Sequence, residues 1–397
     1  MPGWHERTVE AQRSGRLQLV GVIQEQHPDR CRLFMQWKRM DWPVMVDALN
    51  LGGIDVVPVA YAIDEQGTVR FVNPSEGDFQ AFLQAPAATK AAQLPPAAAG
   101  LPDLGRLRDL TRAGGAAAAW RAYGDALFLW GGDGQLDEVV QAYEKAALAE
   151  PDAGATQFRL GSAYRRRDDS NSRRPGDFQR AAERWSRAQE LDPNQYIWRR
   201  RLQQYGPRLD KPYPFYDWVD EARREIRARG EEPAPLAVEP GGAEIATPAG
   251  RFEARAPEGK EPDPDGRIRR DPGRLVEIEA AAVPPAVRTG GVARVHLVFR
   301  LNPAVDAHWN NEGGPLRAWV GPPPGWIADR REREAPSPRD TVSAETREID
   351  FELRASESAP PGGSRVRAYA LYYVCEGATG VCLYRRQDVS LPVEMRP

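Results

Sequence analysis

Cysteine is scarce: three residues in a chain of 397, Cys31, Cys375 and Cys382. Three are too few for a disulfide scaffold, and a close pair with one distant single suits a redox-active pair better. Histidine numbers only four, and no second His, Cys or acidic group stands at metal-ligand spacing from any of them. Neither a metal nor another cofactor is therefore expected. No apolar run approaches the roughly 20 residues that cross a bilayer, so no membrane span is expected. An apolar leader is lacking too, because Met1 to Arg16 is polar; read literally, that points to the cytoplasm. Charge of one sign is not in excess, with 54 Lys and Arg against 57 Asp and Glu for a net charge of -3. Nucleic acid is not an expected partner of so balanced a chain. The local basic runs, Arg165–Arg167 and Arg199–Arg201, read as solvated helix faces. Phosphate-loop, dinucleotide, nucleophile-elbow and zinc-protease motifs are all missing.

What is present is length and punctuation. The chain is long enough for two to four domains. Gly and Pro number 36 each, which implies long loops and linkers. Composition separates an α/β front part, residues 1–85, from an Ala/Pro-rich linker, 86–104. A helical stretch, 105–230, follows. A Pro/Gly-rich linker, 231–273, carries a short strand expected near Ala243–Ala246. Residues 274–397 have period two and Pro/Gly loops, the pattern of an all-β domain.

In the front part, Trp4 to Arg13 reads as a helix closed by Ser14-Gly15. The apolar run from Leu17 to Ile23 has the character of a buried parallel strand. Pro28 opens a second helix containing Cys31, and Val44 to Val46 forms a short strand. The run Ile54 to Asp64 and the strand Thr68 to Val72 flank the turn Glu65-Gln66-Gly67, and Asp78 caps a last helix from Phe79 to Leu83. The sequence Val57-Pro58 … Ile63-Asp64 … Gly67 … Val69-Arg70-Phe71 resembles the second half of the thioredoxin fold in its redoxin branch (AhpC/TSA, TlpA-like). That resemblance implies a cis Pro58 facing an active-site dithiol. The family's first strand and C-x-x-C should precede Trp4 and are not in this sequence. The expectation is an upstream segment carrying both, with a signal; a degenerate domain is the alternative. Cys31, flanked by Arg30 and Arg32, is a candidate thiol of lowered pKa. Its place in an inserted helix favours a structural role over a peroxidase-like one.

In the helical stretch, Leu160-Gly161-x-x-Tyr164, then Ala181, Trp185, Ala188 and Pro193, resembles the tetratricopeptide repeat family. Pro151 and Pro193 stand 42 positions apart, about eight more than the usual repeat of about 34. The extra residues fall at Asp168 to Pro175. A preceding repeat reads Leu127, Trp130, Val139, Tyr143, Ala146 and Pro151. Small residues would let paired helices approach while Tyr143 and Trp185 fill the gap. Either a protein-docking groove or a spacer between redox domains fits so short an array.

In the last segment, strands are expected at Val276–Ala280, Ala293–Phe299, Leu316–Val320, Glu348–Leu353, Arg365–Val374 and Leu383–Glu394, as in a sandwich. Cys375 and Cys382 end two strands that flank a loop of six residues, and such hairpin ends lie within disulfide reach. His308 reads as a packed loop histidine. The cysteine pair with His308-Trp309 … Glu312-Gly313 … Pro315-Leu316 … Pro324-Gly325-Trp326 and Asp388-Val389-x-Leu391-Pro392-Val393 resembles the N-terminal domains of DsbD-type thiol:disulfide interchange proteins. These are immunoglobulin-like sandwiches. The resemblance implies that Cys375 and Cys382 exchange disulfides with a thioredoxin-like or other thiol protein, in the periplasm or otherwise outside the cytoplasm. Two functions follow. One is a multidomain thiol–disulfide oxidoreductase of cell redox homeostasis, with an incomplete α/β thioredoxin-like domain, all-α repeats and an all-β sandwich. The other is a non-enzymatic scaffold with a structural disulfide.

Overall fold

The computed structural model describes residues 2–86, 100–255, 260–377 and 380–396. Most of the expected first linker, and positions 378 and 379 of the cysteine loop, lie outside them. Helices and several β-sheets are both present, so the fold is a multidomain one with α and β parts. By internal contacts the chain forms two compact units. The first is Met1–Arg166, Ala188–Arg199 and Trp218–Val238; the second is Arg167–Arg187, Arg200–Asp217 and Glu239–Pro397. The division runs through the helical stretch and through the second expected linker.

The front of the chain runs α1 (Pro2–Arg13), β1 (Gly21–Ile23), α2 (Pro28–Lys38), β2 (Val44–Val46), β3 (Tyr61–Ile63), β4 (Val69–Val72) and α3 (Glu76–Gln84). The strand expected from Leu17 shrinks to Gly21–Ile23, the three residues that find parallel partners on β2. Strands β3 and β4 form a separate antiparallel pair. With so few neighbours, Val22, Met45, Ile63 and Val72 stay exposed. Ser75, not Asp78, caps α3: its hydroxyl accepts from the Asp78 N–H while the Asp78 carboxylate accepts from the Ser75 N–H. Asp78 is thus the reciprocal member of a capping box three residues inside the helix. The edge-on contact of Trp4 and Phe79, 5.7 Å between centroids, joins α1 to α3.

Then come α4 (Leu104–Arg112), α5 (Ala117–Trp130), α6 (Leu136–Ala149), α7 (Gly154–Asp168), α8 (Asp177–Leu191), α9 (Tyr196–Tyr205) and α10 (Val219–Ala228). The expected insertion falls in the connection between α7 and α8. Helices α5 and α6 approach closely because position 124 is glycine: a Cβ there would stand 2.8 Å from the Tyr143 ring. The buried Tyr143 hydroxyl donates to Asp125, which also pairs with Arg159 at 2.8 Å. Elsewhere in this unit Trp37 of α2 stacks on Trp218, and its indole N–H donates to Glu225 of α10 at 2.6 Å.

The second unit holds β5 (Val276–Val283), β6 (Ala286–Val287), β7 (Val292–Leu301), β8 (Ala307–Asn310), β9 (Arg317–Gly321), β10 (Trp326–Ala328), β11 (Glu332–Glu334), β12 (Val342–Ser343), β13 (Arg347–Ala355), β14 (Gly362–Glu376) and β15 (Cys382–Met395). One sheet has the order β10-β13-β7-β5 and the other β11-β9-β14-β15-β6; β8 also pairs with β14, and β12 with β8. Leu297, Phe299, Phe351 and Leu353 of the first sheet share one core with Val366, Ala370, Tyr372 and Val374 of the second, and with Trp309. The opposite face of β7 is buried as well. There Arg294 pairs with Asp350 and Glu352, and the His296 ring meets Asp350 through Nδ1 and the Tyr205 carbonyl through Nε2. Burial raises the Asp350 carboxyl, but the Arg294 and His296 charges outweigh it and hold the group well below its ordinary value.

The strand expected near Ala243–Ala246 is a turn. The Glu244 N–H donates to the Gly241 carbonyl and the Ala246 N–H to that of Ala243, so these groups close on themselves and need no ladder. Residues 260–273 are not a free linker either. Buried Asp263 pairs with Arg386 at 2.9 Å, and the Asp271 carboxylate accepts from the backbone N–H groups of Arg274, Leu275 and Val276.

Candidate functional site

The longest hairpin of the second unit sets the site. Strands β14 and β15 stay in register over fourteen pairs, from Gly362↔Met395 to Cys375↔Cys382. The last pair closes as a disulfide with Cα atoms 4.0 Å apart. Residues directly opposite share a sheet face. Even-numbered residues of β14, such as Tyr372 and Val374, point into the shared core, so alternation puts Cys375 on the outer face. The next rung on that face is Tyr373↔Tyr384, whose rings stack at 4.4 Å.

The two sulfur-bearing residues differ sharply in access. Cys375 is 1 % exposed, whereas Cys382, at the start of the outer strand of the pair, is exposed. Beside it Val381 is 71 % exposed. The strand end is pinned on the other side: the Gly377 N–H donates to the Asp306 carbonyl at 3.1 Å, and Glu376 forms a double hydrogen bond with Arg274. That contact holds the Glu376 carboxyl below its ordinary value.

His308 is not in a loop. It belongs to β8, and its register partner on β14 is Cys375. One rung across the outer face therefore reads His308, Cys375, Cys382. The imidazole is half-buried, with Nδ1 3.5 Å from the Asp306 carbonyl. Two residues on, the Asn310 side chain accepts from the Glu312 and Gly313 N–H groups. That turn lays Gly313 on the Tyr373 ring, where a Cβ would come within 2.5 Å of Cγ.

The remaining candidates stand in the other unit. Cys31 is unpaired with another cysteine and half-buried on α2. Its thiol is raised, by burial first and by the Glu25 charge second, so the flanking arginines do not lower it. The Val57–Pro58 bond is cis, and Val57 is exposed. No dithiol is available to face Pro58 among the described residues, because Cys31 is the one free cysteine there. No group of three or more His, Cys, Asp or Glu suited to a metal occurs among the described residues, and none of their helices is long and apolar enough to cross a membrane.

No protein-family model matches the chain, and no curated protein matches it. Among solved structures, AvmM, which catalyses macrocyclisation in alchivemycin A biosynthesis, aligns at 14% identity. The match covers 33% of this chain and 96% of that one, with a TM-score of 0.19. The alkylpurine DNA glycosylase AlkC of Pseudomonas fluorescens, bound to DNA containing an abasic site analog, aligns at 12% identity over 74% of this chain and 73% of that one, with a TM-score of 0.17. At these scores neither likeness bears on fold or function.

Proposed function

We propose that the chain is a thiol–disulfide exchange protein whose redox couple is Cys375–Cys382. The observation that carries this reading is the asymmetry of the pair: one sulfur-bearing residue is buried and its partner is exposed at a hairpin end. A partner thiolate reaches Cys382 and attacks its Sγ. The Cys375 sulfur leaves with the electron pair of the S–S bond, giving a disulfide between the partner and Cys382 and a thiolate at Cys375. A second thiol of the partner then attacks the partner's own sulfur and releases Cys382, so the partner dithiol is oxidised and the pair reduced. A disulfide kept only as a staple gains nothing from leaving one of its two residues exposed at a strand end.

The domain assignments belong to the same proposal. An immunoglobulin-like, DsbD-type sandwich for the last part is supported by two sheets around one core with the cysteines on a paired hairpin. An incomplete thioredoxin-like front part is supported by the parallel β1–β2 pair and the antiparallel β3–β4 pair. Tetratricopeptide-type packing is supported by the close α5–α6 pair. A thioredoxin-like thiol protein is the partner of this reading. Its compartment is extracytoplasmic, where disulfides persist.

The test is the reduction potential of the pair, measured by equilibration with dithiothreitol or glutathione and mass analysis of alkylated thiols. The reading expects a potential above the ceiling of about −300 mV typical of structural disulfides. A value well below it, with no exchange with a thioredoxin-like dithiol, contradicts the reading and leaves a structural disulfide.

A further inference from the structure

We infer that His308 is the proton-transfer partner of Cys375, protonating its sulfur when the disulfide opens and removing that proton when it closes. The inference rests on the exchange reading above and adds a residue to it. In a buried position a thiolate is disfavoured by desolvation, so Cys375 is a poor leaving group unless a cation or proton donor stands beside it. The residue directly across from it on β8, on the same sheet face, is a histidine. Opposed residues on neighbouring antiparallel strands have Cα atoms about 4.5–5.5 Å apart, within reach of an imidazole. The Nδ1 atom faces the Asp306 carbonyl, an acceptor only, which favours the proton on Nδ1 and leaves Nε2 to take up and give one.

The charges around His308 do not compete for this role. Glu376, at the end of β14, is taken up by Arg274. Tyr373 and Tyr384 occupy the neighbouring rung as a stacked pair. Asp306 and Glu312 lie beyond the two ends of β8. In the forward step the partner's S⁻ attacks Cys382 Sγ, the S–S bond breaks, and Cys375 S⁻ takes the Nε2 proton. The products are a mixed disulfide, a Cys375 thiol and a neutral His308. In the reverse step neutral His308 takes the proton back as Cys375 attacks the mixed disulfide and expels the partner thiolate.

The experiment follows reduction of the oxidised full chain by dithiothreitol from about pH 5 to 8, with each rate divided by the reductant's thiolate fraction. In the natural sequence the corrected rate is expected to fall as pH rises across this range, as for a step that needs a protonated donor. With His308→Gln or His308→Asn it should be flat and roughly 10-fold or more slower at pH 6. A second readout keeps His308 in place: its imidazole ring signals by NMR, in the Cys31→Ser background, for the oxidised and reduced protein. Reduction is expected to shift the ring signals of His308, because the Cys375 sulfur of its register partner changes from a disulfide to a thiol. A natural chain that exchanges with dithiothreitol while the variants keep its pH profile, or imidazole signals that reduction leaves unmoved, overturns the role of His308 alone. A natural chain that does not exchange overturns the exchange reading with it.

Discussion

Replacing both Cys375 and Cys382 with serine removes a cross-link whose residues are separated by 7 positions. With about 8 residues in the closed loop, the chain-entropy relation gives a loss of about 2.5 kcal/mol at 25 °C. The rest of the hairpin is independent of that bond. Thirteen further register pairs continue to Gly362↔Met395, the Tyr373–Tyr384 stack lies in the next rung, and Arg274 and Asp306 anchor the strand end. The second unit is therefore expected to stay folded when reduced, as a redox carrier must. The assay is urea unfolding followed by tryptophan fluorescence and far-UV circular dichroism, for the natural chain with and without reductant and for the double serine variant. The expected result is a lower midpoint with an unchanged slope, equivalent to about 2.5 kcal/mol. Loss of the far-UV signal or of the native tryptophan fluorescence on reduction alone, or a deficit beyond about 5 kcal/mol, refutes the reasoning and makes the disulfide a staple on which the fold depends.

Other substitutions probe single contacts. Gly313→Ala brings a Cβ within 2.5 Å of the Tyr373 ring; a cost of about 1–3 kcal/mol is expected in denaturant unfolding, with faster reduction of the disulfide as the Tyr373 rung loosens. Cys31→Ser should leave the exchange rate unchanged, and the raised Cys31 thiol should alkylate more slowly at pH 7 than a free cysteine. Glu279 is raised to about 7, by burial first and by the neighbouring Asp168 second, with Arg300 opposing. The folded state therefore holds a proton that the unfolded chain releases near its ordinary value of 4.5. The stability from this group is full below about 4.5 and is lost as pH rises towards 7, at up to about 1.4 kcal/mol per pH unit. Glu279→Gln should flatten that slope in urea titrations between pH 5 and 7; an unchanged slope rules out Glu279 as its source.

How much of this was legible depends on how local each signal is. The six long strands follow from alternation, and all are present. Five short ones, β6, β8, β10, β11 and β12, carry too few residues to show a period. The opposition of Cys375 and Cys382 follows from hairpin geometry. Which of the two is buried does not, because that depends on where β8 and β15 lie beside β14. His308 reads as a packed loop residue in the sequence for the same reason: its rung exists only through the register Cys375↔His308. The pairing of Arg294 and His296 with Asp350 is equally non-local: alternation marks only one face of β7, whereas its second face is covered too and its charges are paired. Asp78 was one turn too far inside α3 because the Ser75 box satisfies both ends at once.

The central claim is that Cys382 is the sulfur a partner attacks. Its most direct test is to trap the mixed disulfide with a thioredoxin-like protein lacking its resolving cysteine, then map the linkage by peptide mass analysis. The account predicts a bond to Cys382, with Cys375 recovered as a free thiol. Linkage to Cys375, or no trapped species while control disulfides react, contradicts it.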